Sequence, residues 1–301
     1  MRTALIAITE ELQRLKAAGV SSVAVSEEGL QRLRAHAQVR RAIADGTTGS
    51  LPSATGLRSE PVAAPAKSPT VAPGALPLPA APRIVLPAGD KAARWQALRA
   101  IVLNDAVCQA HVRLGKQVVF GVGNIDASIM FIGEAPGAEE EVQGEPFVGP
   151  AGQLLTKMIQ GMGLKRSEVY IGNIMNWRPE LPGGDGFGQV GNRPPTEAEM
   201  GYCLPYLRAQ IELVNPVLLV ALGKTAAEGL LGFRSFKTLG EVRGLWHEFA
   251  GRPLMVTYHP SYILREPTNR KKRMIWEDLL LVMERAGLPV TDKQRGFFQE
   301  K

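Results

Sequence analysis

The chain has 301 residues, 45% of them hydrophobic, which is enough to bury a full core in one large or two small domains. Lys and Arg number 35 against 29 Asp and Glu, a formal charge of +6, so polyanions are plausible partners. The opening segment mixes charges into its apolar positions, no stretch approaches the ~18 apolar residues of a membrane span, and Cys108 and Cys203 alone give no disulfide framework. A soluble protein of a reducing cytoplasm, with no membrane contact, is the expectation.

Residues 1–50 carry helix-type spacing (Leu12, Leu15, Leu30, Leu33) but few aromatics, and read as a short helical appendage. Residues 51–93 turn to Pro and Ala (PVAAPAKSPTVAPGALPLPAAP), which cannot build a packed core and read as a disordered, flexible linker. The folded domain is expected over 94–290, opening with Trp95, Leu98, Ile101 and Val102 at helical spacing and leaving 291–301 as a tail.

Four short apolar runs follow: SIMFIG, EVYIGNIM, VLLVALG and PLMVTYH. Each is nearly continuous in apolar residues, as strands buried on both faces tend to be. Helical patterns alternate with them, among them EAEMGYCLPYLRAQIELV, which Thr196 and Glu199 open as a capping box and which Pro205 should kink or divide. The alternation predicts an α/β protein, a three-layer α/β/α sandwich with a central four-stranded, mainly parallel sheet. Ligand chemistry in such sheets lies beyond the carboxyl ends of the strands.

The first run leads into Gly133-Glu134-Ala135-Pro136-Gly137, a run of Glu139, Glu140 and Glu141, and then PFVGPAG with Phe147. Taken alone this is an ordinary strand-to-helix loop, the glutamates a solvated turn and Phe147 a core residue. The second run ends in Asn173, whose amide suits the edge of a nucleobase or, equally, the capping of a turn. The fourth runs into Tyr258-His259-Pro260-Ser261, placing one of only four histidines on the ligand rim.

In this order and spacing, GVGN, IMFIGEAPG, PFVGPAGQLL, VYIGNIMNWRP, VALGKTA and HPSYILR resemble the uracil-DNA glycosylase superfamily, and most closely its family 4, over about Val118 to Arg265. The resemblance implies hydrolysis of the N-glycosidic bond of a flipped-out uracil in DNA, the first step of base excision repair. It assigns Phe147 to stacking on the base, Asn173 to its N3 and O4 edge, and Gly133, Ala135, Pro136 and Gly137 to the substrate loop. His259 would donate to uracil O2, and Glu134 would orient water. Ser261, Tyr262, Leu264 and Arg265 would enter the minor groove, while Arg243, Lys271 and Lys272 would meet phosphates.

Two other readings stay open. One is a glycosylase for further deaminated bases, or one that bonds to the abasic sugar through a residue such as His247; the other is a DNA-binding module without catalysis. The resemblance further implies a monomer at the bacterial nucleoid, with residues 1–93 meeting repair or replication proteins.

The chain departs from the family in its cysteines. Family 4 members usually carry four, holding a 4Fe-4S cluster; here Cys108 and Cys203 match, while His111 and Trp177 stand at the other two positions. Indole cannot replace a thiolate, so no cluster and no metal is expected, with Trp177 filling the space. Cys108, His111 and Cys203 are the residues that would serve an incomplete cluster or a zinc ion. The Gly-rich insertion 181–191 reads as a mobile loop.

Overall fold

A computed structural model describes residues 78–181 and 189–299. The helical appendage, most of the tether and the centre of the Gly-rich insertion expected above fall outside the described residues. Thr70–Lys301 forms one compact unit.

Its frame is a six-stranded sheet in the order β1-β3-β2-β4-β6-β5. The strands are β1 (Val122–Gly123), β2 (Ile129–Gly133), β3 (Tyr170–Asn173), β4 (Leu218–Leu222), β5 (Trp246–Phe249) and β6 (Arg252–Thr257). The central four are parallel, in the register Gly133↔Asn173, Phe131↔Val220 and Ala221↔Val256. All residues of β2, β3 and β4 are buried, the outcome of their unbroken apolar runs. The sheet thus exceeds the expected four strands by β1 and β5, which pair antiparallel on the two edges. A two-residue strand and a half-exposed Trp-His-Glu-Phe strand have no continuous apolar signature to announce them.

Helices cover both faces. Met130 and Ile132 point into one core with α1 (Lys91–Leu103), α2 (Ala106–Ala110), α5 (Glu197–Val214) and α6 (Lys224–Leu231). Ile129 and Phe131 alternate into the other, with α4 (Pro150–Gly161) and α8 (Asn269–Arg285). The short helices α3 (Glu140–Gln143), α7 (Ser261–Arg265) and α9 (Asp292–Arg295) complete the set. No helix among the described residues is long and apolar enough to cross a membrane.

Three local features differ from expectation. Helix α1 starts at Lys91 with Asp90 as its cap, and Leu78, Ile84 and Leu86 already pack on the core. Helix α5 runs through Pro205 as one element; the residue four places earlier, Gly201, has no other group within 4 Å of where a side chain would start. The segment from Asp292 is anchored, because Gln294 donates to the Gly161 carbonyl and Trp276 Nε1 donates to the Gln294 carbonyl at 2.6 Å.

The topology sets the place of the site. The chain leaves β2 toward β3 on one side of the sheet, and leaves β4 toward β6 on the other. The topological switch point therefore lies between the carboxyl ends of β2 and β4, where such folds bind ligands.

Candidate active site

Glycine at the end of β2 lets the site close. A Cβ on Gly133 would lie 2.4 Å from Asn173 Oδ1 and 2.5 Å from the Phe147 ring, so amide and ring both abut bare backbone. Phe147 takes a positive φ of 54°, a conformation costly for a bulky residue and held by its surroundings. Gly152, in the first turn of α4, allows this: a Cβ there would sit 1.8 Å from the Phe147 carbonyl oxygen. Arg166 donates to the Pro146 carbonyl at 2.8 Å and steadies the same loop.

Glu140 ties the two loops together. Its carboxylate accepts from the backbone N–H groups of Gly137 (3.1 Å), Val148 (3.0 Å) and Gly149 (3.0 Å). Glu141 is buried and paired with Arg178 at 2.9 Å and with Arg113. The expected solvated turn is thus confined to Glu139, because Glu140 is bound by nearby loop amides and Glu141 by arginines remote in sequence.

From β6 comes His259, whose ring centroid lies 5.6 Å from that of Phe147. Gly223 at φ +94° packs beneath it, where a Cβ would be 3.0 Å from His259 Cβ. The backbone N–H of Ser261 donates to His259 Nδ1 at 3.2 Å, and the Ser261 hydroxyl lies 2.9 Å from the same nitrogen. Since an amide only donates, Nδ1 is the unprotonated nitrogen and the proton of the neutral ring sits on Nε2. Burial, with help from Arg265 and against Glu140, pushes the imidazole pKa down to about 4.

Asn173 is buried, and its Oδ1 has no hydrogen-bond partner. An orphaned buried acceptor carries a cost that a ligand donor would remove. Glu134 is half-buried; burial raises its carboxyl pKa, the Glu228 carboxylate adds to this, and the Thr225 hydroxyl opposes it. The Met175 N–H donates to the Glu134 carbonyl at 3.1 Å, locking the loops after β2 and β3 to each other.

Phe147, Asn173, His259 and Gly133 thus converge, and the other expected DNA contacts separate into classes. Leu264 is 47% exposed, and Arg265 is exposed beside it. Tyr262 instead stacks on Tyr258 at 4.3 Å, with the Lys271 ammonium 4.6 Å above its ring. Lys272 sits near Phe298. Arg243 is held by Asp278 at 2.7 Å and by the Met274 carbonyl, and Asp278 also accepts from Thr257. His247 donates through Nε2 to the Val242 carbonyl.

On the far side of β3, Cys108 and Cys203 are both buried, and the neighbouring Cys203 thiol together with burial pushes the Cys108 thiol pKa up. His111 stacks on Trp177 at 4.8 Å and 10° between planes. Among the described residues no group of three or more His, Cys, Asp or Glu is placed to hold a metal ion. A cavity of about 400 Å³ against the β1–β3 edge, lined by Val122, Gly123, Arg166, Ser167 and Ile171, contains none of Phe147, Asn173, Glu134 and His259 and shares with the site only Arg166.

An open α/β/α sheet that gathers an aromatic face, an orphaned amide oxygen and a neutral imidazole at its switch point offers a stacking surface, an acceptor and a donor, the chemistry that a flat, hydrogen-bonding heterocycle requires. The profile of the uracil DNA glycosylase superfamily matches residues 120–280. A type-4 uracil-DNA glycosylase of Thermotoga maritima is 39% identical over 173 residues, 57% of this chain and 84% of the relative. The type-4 enzyme of Pyrobaculum aerophilum is 38% identical over 181 residues, 58% of this chain and 87% of the relative, and a type-5 enzyme of the same organism is 29% identical. The chain belongs to the uracil DNA glycosylase superfamily.

Proposed function

We propose that this chain, a uracil-DNA glycosylase by descent, excises uracil through Phe147, Asn173, His259 and Glu134. The observation that carries this reading is the orphaned Asn173 oxygen beside the Phe147 ring. A flipped uracil stacks on Phe147 and gives its N3–H to Asn173 Oδ1, while the amide NH₂ meets O4.

The bond from base to sugar breaks toward a sugar cation and a uracil anion, the oxocarbenium route of glycoside hydrolysis. The Nε2–H of His259 donates to uracil O2 as negative charge develops there, with backbone N–H groups near Ala135 beside it. A histidine with a pKa of about 4 stays neutral at physiological pH and stabilises the anion by hydrogen bonding rather than by proton transfer. Glu134, as carboxylate, orients the attacking water and favours the cation. Leu264, rather than the stacked Tyr262, fills the gap left by the flipped base, and Arg265 meets a phosphate.

The residues at the family's cluster position do not fit a 4Fe-4S cluster. Two thiols and one imidazole supply too few soft ligands, and the Trp177 indole, 1% exposed and stacked on His111, stands where a thiolate is needed. The enzyme works without a cluster on this reading, as a monomer on DNA in the cytoplasm, with repair or replication proteins as partners of its N-terminal region.

The test is incubation of the purified chain with oligonucleotides carrying uracil, hypoxanthine or xanthine, with iron measured in parallel. Release of free uracil, an alkali-labile site and no stoichiometric iron are expected. Binding without release would favour the non-catalytic module.

A further inference from the structure

The five residues after Asn173 are each held by residues elsewhere in the fold. Ile174 N–H donates to the Gly133 carbonyl (3.0 Å) and Met175 N–H to that of Glu134 (3.1 Å). The Asn176 carbonyl accepts from Val119 N–H, and its Nδ2 donates to the Val119 carbonyl (3.0 Å). Arg178 reaches Glu141. Between these, Trp177 has no hydrogen bond to any of the described residues; its Nε1 is buried and unpartnered.

What holds Trp177 is aromatic. His111, the C-cap of α2, stacks face to face on it, and Tyr202 of α5 meets it at 6.2 Å. These partners are themselves fixed to each other: Asp105 caps α2 by accepting from Cys108 N–H at 2.8 Å, and it also accepts the Tyr202 hydroxyl at 3.0 Å. The indole is therefore clamped between two helices that are locked together by one carboxylate.

We propose that the His111–Trp177 stack is a positioning device for Asn173, a cofactor-free tie that joins helices α2 and α5 to the loop bearing the base-reading amide. This rests on the glycosylase reading of the pocket. Trp177 is four residues from Asn173, and no hydrogen bond among the described residues fixes the Asn173 side chain itself. The aim of that amide is set by its backbone, and the stack anchors that backbone at the one place where hydrogen bonding does not. Retaining an unpartnered buried N–H has a cost, which is consistent with a ring kept for its faces.

The test is a double-mutant cycle in the full chain between the stack and Asn173, read as kcat/KM for uracil release well below each variant's melting temperature. Trp177→Ala is expected to lower kcat/KM about 10- to 100-fold, the size typical of a misplaced reacting or reading group. Trp177→Phe, which keeps a stackable face, is expected to restore most of that activity. In an Asn173→Ala background the same Trp177→Ala change should have little further effect. His111→Ala removes the half-buried partner and gives a second cycle should Trp177→Ala fail to fold.

Full additivity of both cycles in folded protein overturns the positioning role while leaving the glycosylase reading intact. A wild-type chain that releases no uracil overturns both. Stoichiometric iron bound between Cys108 and Cys203 would also overturn the proposal, since the stack would not then be in place.

Discussion

The backbone N–H of Ser261 donates to Nδ1 of His259, and this one contact fixes Nε2 as the ring nitrogen that carries the proton. The histidine is thereby a pre-set neutral donor, and its depressed pKa removes it as the group that limits activity over most of the acid range.

The pH dependence should show this. On the proposed mechanism, excision requires Glu134 ionised and His259 neutral. The Glu134 pKa lies above the ordinary 4.5 and that of His259 near 4, so the acid limb of kcat/KM belongs to the carboxyl. As pH falls, activity is lost first through Glu134. Glu134→Gln should lower the plateau and move the limb down toward pH 4; a limb unmoved by this change would assign the titration elsewhere.

Asn173→Ala removes the orphaned acceptor and the paired amide. Each lost buried hydrogen bond is worth about 1–3 kcal/mol, so roughly 5- to 150-fold in kcat/KM per bond is expected. Steady-state rates on a uracil oligonucleotide measure it, and a change below threefold would separate the amide from base reading.

Leu264 and Tyr262 can be told apart by substrate. If the exposed Leu264 is the wedge, Leu264→Ala slows excision from duplex DNA far more than from a single strand, where no stack needs filling. Tyr262→Ala should show no such split, because its ring is engaged with Tyr258 and Lys271.

Arg243 was expected at a phosphate, yet its guanidinium is bound to Asp278, which is 1% exposed. Arg243→Ala leaves a buried carboxyl without its partner and should destabilise by about 3–5 kcal/mol, read as a fall in melting temperature. A phosphate contact would instead reduce the salt dependence of DNA binding with little change in stability.

Much of the site was legible because its signals are local. The central strands are nearly continuous apolar runs, and Gly133, Asn173 and His259 stand at or just past their carboxyl ends. What escaped depended on partners brought in by the fold. Glu140 and Glu141 look solvated until the loop amides and Arg178, 37 positions on, come to meet them. Arg243 looks free until Asp278, 35 positions on, is placed against it. Strands β1 and β5 lie on the edges with one flank unpaired, so neither needs the apolar continuity by which strands are found.

Single-turnover release of uracil by wild-type chain and by His259→Ala tests the central claim most directly. A preorganised donor to the departing base is worth about 10²- to 10³-fold in rate, so the variant should fall by that factor while still binding uracil-containing DNA. Equal rates for the two proteins would contradict the account.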